Sequence, residues 1–191
     1  MAAFVRGKRC LCSSCYRKLR PRFFRWRLGR YRCLALYEYE TVKEALYQFK
    51  GCGDIELAPV FFDYARPILS RRFRSYQIVP APSSQSHDEA RGFNQVVEMC
   101  RCLNLPILPI LEKTAESKQS DLSAKERKQV GKILALKERG KIKGKRILLV
   151  DDVYTTGSTI SACLRLLAQE GPKTIKVFVM AKTLPKKDGP F

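Results

Sequence analysis

The sequence predicts an α/β fold, a parallel sheet flanked by helices. Three observations carry that expectation. Ile147, Leu148, Leu149 and Val150 form a continuous apolar run, the pattern of a parallel strand buried on both faces. Strand-like and helix-like segments alternate from Arg32 to Met180, as crossover-connected sheets require. The chain has 191 residues, 45% of them apolar, enough for one sizeable core and a small appendage. Organisation is therefore expected as a basic segment at 1–32, one α/β domain at 33–182 and a polar tail at 183–191.

Taken in order, Arg32–Tyr39 is aromatic and aliphatic and reads as a strand. Thr41 and Glu44 have capping-box spacing, opening a helix with Val42, Leu46 and Phe49 on its inner face and Gly51 and Gly53 at its end. Glu56 to about Arg72 reads as one further helix, with Leu57, Val60, Phe61 and Tyr64 inward. Tyr76–Val79 is a strand stopped by Pro80 and Pro82. Gly92–Leu103 is a helix, and Pro106–Ile110 a short strand. Ser120–Lys143 is strongly charged, with a second capping-box match at Ser123 and Glu126. The Arg146–Val150 strand leads to a helix over Ser158–Gln169, whose Ile160, Cys163, Leu164 and Leu167 share a face, and Gly171 closes it. Thr174–Met180 is the last strand.

The formal net charge is +19, which points either to a polyanionic partner or to a highly solvated surface. Met1–Arg32 holds eleven of the basic residues and no carboxylate, interleaved with Phe23, Phe24, Trp26 and Tyr31. Such a segment suits single-stranded DNA, whose phosphates meet Arg and Lys while its bases stack on rings; a basic tail without a specific partner has the same composition. Cys10, Cys12 and Cys15 lie close together, with Cys33 downstream. Four thiolates make a structural Zn2+ site, but Cys33 also fits as an inward-facing strand residue. No apolar run is long enough for a membrane span and no signal-peptide pattern is present, so a cytoplasmic location with reduced cysteines is expected.

The functional centre is expected at Arg146–Thr159. Asp151 and Asp152 follow the apolar strand, and Thr155, Thr156, Gly157, Ser158 and Thr159 form a hydroxyl-rich turn into a helix. The turn and helix start offer backbone N–H groups to a phosphate, and the carboxylates suit the hydroxyls of the sugar that bears it. At the end of another strand, Ala81, Pro82 and Ser83 open a loop of small residues suited to a diphosphate. Arg91, before Gly92-Phe93-Asn94-Gln95, offers a planar cation. Lys113–Gln129 is either a solvated loop or a mobile lid whose Lys118, Gln119 and Arg127 close over an anion.

Val150–Thr159 resembles the phosphoribosyl-diphosphate signature of type I phosphoribosyltransferases. With Arg91–Gln95 and the Lys118-Gln119-x-x-Leu122 loop, the resemblance narrows to the ComF (ComFC/GntX-like) family of competence proteins and covers about Arg32–Ala181. It implies that Asp151 and Asp152 hold the ribose hydroxyls and Thr155–Thr159 the 5-phosphate. The Pro80–Ser84 loop would hold pyrophosphate with Mg2+, and Lys118, Gln119 and Arg127 would belong to a flexible loop. It further implies a role with the DNA-uptake machinery of natural transformation, and an N-terminal zinc ribbon of which this chain keeps Cys10, Cys12 and Cys15. His87 stands four positions before Arg91, where the family commonly has another basic residue. Two functions stay open: a DNA-uptake factor that binds phosphoribosyl diphosphate and single-stranded DNA, or a catalytically active phosphoribosyltransferase in nucleotide or small-molecule metabolism.

Overall fold

A computed structural model describes residues 13–83, 88–89, 92–114 and 133–184. Helix α1 (Ser13–Lys18) precedes β1 (Phe24–Leu28), β2 (Tyr31–Glu38), α2 (Tyr39–Gly51), a 3₁₀ helix (Ile55–Phe61), α3 (Arg66–Arg72) and β3 (Gln77–Pro80). There follow α4 (Gln95–Arg101), β4 (Leu111–Thr114), β5 (Ile133–Leu136), β6 (Arg146–Tyr154), α5 (Ser158–Gln169) and β7 (Thr174–Lys182). Five strands form one sheet in the order β1-β2-β7-β6-β3. All its pairs are parallel except β1 with β2, and β4 pairs antiparallel with β5 in a separate ribbon.

The apolar run of β6 explains its central place. Leu148 and Val150 pack into the layer of α2, the 3₁₀ helix and α4, whereas Ile147 and Leu149 pack into the layer of α5 and the β4–β5 ribbon. All four are fully buried, each worth about 1.5–3 kcal/mol of transfer free energy. The inward residues expected on the α2 and α5 faces, Val42, Leu46, Phe49, Ile160, Cys163, Leu164 and Leu167, are buried.

Four elements differ from the sequence reading. The single helix expected over Glu56–Arg72 is split, because Pro59 inside the 3₁₀ segment and Pro67 at the start of α3 interrupt helical hydrogen bonding. Helix α2 starts at Tyr39, ahead of Thr41, and no side chain caps it. The Pro106–Ile110 strand reduces to one parallel bridge between Ile78 and Ile107, tied by Leu108 N–H to the Ile78 carbonyl at 2.7 Å. Conversely, Phe24–Leu28, read as part of a basic segment, is the antiparallel edge strand of the main sheet, pairing Phe24 with Ala35 through Leu28 with Tyr31. Its alternation of half-buried Phe24, Trp26 and Leu28 with exposed Arg25 and Arg27 is the period of a strand, which the charge density obscured.

The residues before β1 also join the core. Leu19 is buried among the α2-side residues, Tyr16 stacks on Tyr64 at 4.3 Å and its hydroxyl donates to Asp63 at 2.6 Å. The Tyr37 hydroxyl, itself buried, lies 3.0 Å from the Leu19 carbonyl and 2.9 Å from that of Phe61. Tyr37→Phe should therefore lower stability by about 1–2 kcal/mol, since the one hydroxyl proton that these two carbonyls share is lost. Urea denaturation should show this as a lower midpoint with an unchanged slope; an unaltered midpoint would mean that the segment around Leu19 contributes nothing to the cooperative unit.

Candidate functional site

Strand β6 leaves the core at Asp151 and Asp152, and successive strand residues face opposite layers. Asp152 points toward α2 and α4 and is 7% exposed. Its Oδ2 accepts a hydrogen bond from Gln95 Nε2 at 2.5 Å and is ion-paired with Lys50, while its Oδ1 accepts from the Val153 N–H at 2.5 Å. The Asp151 Oδ1 accepts from the Asp152 N–H at 2.9 Å. Burial, and after it the charge of Asp152, pushes the Asp151 carboxyl well above its ordinary value of 3.8, with Lys50 pulling the other way. Asp151 lies on the α5 side: its charge, added to burial, helps lift the Cys163 thiol to about 12.

After Tyr154 the chain turns through Thr155, Thr156 and Gly157 into α5. Gly157 has φ 77°, and a Cβ there would overlap the ring of Tyr154, so both conformation and space require glycine. No side chain caps α5, which leaves its first-turn N–H groups to the turn. Thr155, Thr156 and Ser158 are exposed, and the Thr156 hydroxyl donates to Ser158 Oγ at 3.2 Å.

The loop after β3 leaves the same end of the sheet as this turn, because β3 and β6 are parallel neighbours with Pro80 opposite Val150. The Ala81 N–H donates to the Val150 carbonyl at 2.7 Å and Pro82 has none, so among Ala81, Pro82 and Ser83 only Ser83 retains a backbone donor for an anion. Asn94 fixes the loop. Its Oδ1 caps α4 by accepting from Val97 N–H at 3.0 Å, and its Nδ2 donates at 2.9 Å to both Ser83 Oγ and Asp88 Oδ2. Asp88 in turn accepts from the Ser83 hydroxyl. Beside Thr155 and Lys50 runs an open groove of about 1040 Å3, walled on the α2 side by Tyr39, Glu40, Glu44 and Tyr47.

The structure thus gathers Asp151, Asp152, Thr155–Thr159 and Ala81–Ser83 at the carboxyl ends of two adjacent strands. Arg91, Lys118, Gln119 and Arg127 lie outside the described residues, as do His87, Cys10 and Cys12. Cys33 is a buried β2 residue facing the α5 layer; burial raises its thiol to about 11 and its Sγ donates to the Tyr31 carbonyl at 3.8 Å. Cys33 is thus packed in the core, while the side chain of Cys15, like Cys10 and Cys12, is not among those described. Among the described residues no three His, Cys, Asp or Glu side chains cluster as a metal cage. The carboxylate pair nevertheless suits Mg2+, which usually takes one or two protein carboxylates and completes its shell with substrate phosphates and water. Lys50 and Gln95 had no assigned role in the sequence, since nothing in its spacing links position 50 to position 152.

The phosphoribosyl transferase domain family matches residues 90–189. Competence protein ComFC of Streptococcus pneumoniae is 33% identical over 149 residues, covering 78% of this chain and 67% of that protein. The chain belongs to the ComF family. Competence protein ComFC of Bacillus subtilis is 33% identical over 140 residues, 72% of this chain and 58% of its own length. The Escherichia coli K12 DNA utilization protein YhgH is 32% identical over 114 residues, 56% and 50% respectively. A hypoxanthine phosphoribosyl transferase structure from Trypanosoma cruzi overlays 72% of this chain and 70% of its own at 15% identity and a TM-score of 0.45. This ComF-family chain is accordingly a phosphoribosyltransferase-like factor of a competence-related group, and it spans only about two thirds or less of these curated relatives' lengths.

Two outcomes follow from the carboxylates. Between about pH 4 and the raised Asp151 value, the folded chain holds a proton that the unfolded chain has released. Stability should therefore fall as pH rises through that window, and Asp151→Asn should flatten the profile of urea midpoints; a wild-type profile that rises there contradicts the assignment. Lys50→Met should cost up to about 3 kcal/mol by stranding the Asp152 charge, with Lys50→Met/Asp152→Asn recovering most of the loss. Equal loss in the single and double variants would show that Lys50 acts through packing alone.

Proposed function

We propose that the carboxyl end of the sheet binds phosphoribosyl diphosphate with Mg2+, and that this ComF-family chain serves DNA uptake in natural transformation, in the cytoplasm and in contact with single-stranded DNA. One observation carries the pocket: a carboxylate pair, a glycine turn into an uncapped helix N-terminus and a small-residue loop meet at the ends of β6 and β3. The α5 N-terminus and the hydroxyls of Thr155, Thr156, Ser158 and Thr159 receive the 5-phosphate. Asp151 and Asp152 take the ribose hydroxyls, Asp152 being oriented by Lys50 and Gln95. Ser83 faces the diphosphate, and Arg91, Lys118, Gln119 and Arg127 are the cations and donors proposed to complete it. When bound, Mg2+ neutralises diphosphate charge. The DNA role is supported by the relatives' names and by the basic composition.

A second reading, an active phosphoribosyltransferase in nucleotide or small-molecule metabolism, is favoured by the groove beside Thr155, which leaves room for an acceptor. In that reading pyrophosphate leaves the anomeric carbon as the acceptor attacks it, and fixed charges stabilise the developing charge on both sides.

Calorimetric titration of phosphoribosyl diphosphate with Mg2+ decides the pocket. Asp151→Ala/Asp152→Ala should bind at least about tenfold more weakly, the loss of roughly one charge-assisted hydrogen bond. Unchanged affinity in the double variant would remove the carboxylates from the site. Pyrophosphate release in the presence of nucleobases, small amines or DNA separates the enzyme reading from the binding one.

A further inference from the structure

At the other end of the sheet three cations stand in one row. Arg27 of β1 is directly opposite Arg32 of β2, and Arg32 is directly opposite Lys176 of β7. Residues in register share a face of a sheet, so all three project on the side of α3. Like charges directly opposite one another destabilise strand pairing, and here the same sign repeats across three consecutive strands. None of the three is paired with a carboxylate among the described residues.

The row lies in a groove of about 410 Å3 to which Arg25 and Arg72 add two further cations, and among the described residues no Asp or Glu lines it. The groove has a firm floor. Lys176 Nζ sits 4.9 Å from the ring centre of Tyr76 and 5.9 Å from that of Phe73, and the Arg72 guanidinium is 5.8 Å from Phe73. Those rings are buried, so the cations are braced from below by aromatic faces while Arg25, Arg27, Arg32 and Arg72 remain exposed.

We propose that the Arg27–Arg32–Lys176 row, flanked by Arg25 and Arg72, is the binding groove for the phosphate backbone of a single nucleic-acid strand, separate from the phosphoribosyl pocket. At a strand spacing of about 4.8 Å the row spans roughly 10 Å, longer than one phosphate group and suited to consecutive phosphates of a chain. Guanidinium forks suit phosphate oxygens. The concave shape and buried rings argue for an inserted chain rather than for a bilayer, which is met by a protruding apolar surface. Lys176 is near the start of β7, whereas Tyr154, which leads into the phosphate turn, is level with Lys182; six residues of strand separate the two levels by about 20 Å. Nucleic acid and phosphoribosyl diphosphate therefore bind at opposite ends of the sheet and do not compete. The inference deepens the DNA part of the proposed function and does not rest on the phosphoribosyl pocket.

The test uses the full chain and a short fluorescent oligodeoxythymidine, followed by anisotropy over a salt series. Arg27→Gln/Arg32→Gln/Lys176→Gln should bind about tenfold or more weakly near physiological salt, with the log–log salt slope reduced by about 2, roughly 0.7 per lost phosphate contact. The control Lys137→Gln/Arg139→Gln/Arg165→Gln removes the same charge from other exposed positions and should keep most of the affinity. Urea midpoints of the row variant should stay close to wild type, because the removed repulsion offsets the lost contact of Lys176 with the Tyr76 ring, so lost binding is not lost folding. Calorimetry should show unchanged binding of phosphoribosyl diphosphate to the row variant, and Asp151→Ala/Asp152→Ala should keep its affinity for the oligonucleotide. Equal losses in the row and control variants would overturn the groove, as would a row effect confined to duplex DNA or to anionic phosphatidylserine vesicles. Competition between oligonucleotide and phosphoribosyl diphosphate would overturn the separation of the two ends. Failure of phosphoribosyl diphosphate to bind wild type would sink the pocket and leave the oligonucleotide result standing.

Discussion

The carboxylate of Asp152 has to be satisfied inside the protein, and much of the site is arranged around that constraint. A nearly buried negative charge is tolerated only when paired and hydrogen-bonded. Lys50 from the end of α2 and Gln95 from the start of α4 meet that demand together. Each helix is fixed to β6 by the same oxygen. Because Asn94, one residue before Gln95, caps α4 and also binds Ser83 and Asp88, the loop after β3 is tied to the same point. The acidic pair and the loop after β3 are therefore held by one connected polar network.

The sheet gives that network its place. Leu148 and Val150 on one face and Ile147 and Leu149 on the other anchor β6 between two apolar layers, so the strand stays fixed where its polar end emerges. Ligands of parallel α/β sheets bind at this carboxyl edge. The opposite edge carries a different chemistry: the β1–β2 hairpin and β7 place a transverse row of cations where the strands begin. Under the two proposals, phosphoribosyl diphosphate and a nucleic-acid strand would be held at once at opposite ends of one sheet.

The edge strand also reaches toward the glycine turn before α5. Trp26 meets Tyr154 edge to face at 5.0 Å, and Lys182 Nζ stands 4.6 Å from the Trp26 ring centre. Since Gly157 packs against Tyr154, β1 buttresses the turn from the side of α5. A segment whose composition reads as a nucleic-acid tail is thus also part of the scaffold, because its arginines and its apolar residues occupy alternate positions and serve different faces.

Local chemistry was legible in the sequence: the doubly buried strand, the helix Ser158–Gln169, the glycine turn, the acidic pair and the family signature. These depend on residues adjacent or one turn apart, so spacing alone exposes them. The prolines that split Glu56–Arg72 and the period of two in β1 were present in the sequence, but length and charge density masked them and both elements were misread. What only the tertiary structure decided are contacts between residues distant in the chain. The pairing of Lys50 and Gln95 with Asp152, the use of the Ala81 N–H by Val150 and the alignment of Arg27, Arg32 and Lys176 all follow from strand order and register. Sequence spacing fixes which side of a strand a residue takes, but neighbours across a sheet are set by how the whole chain packs.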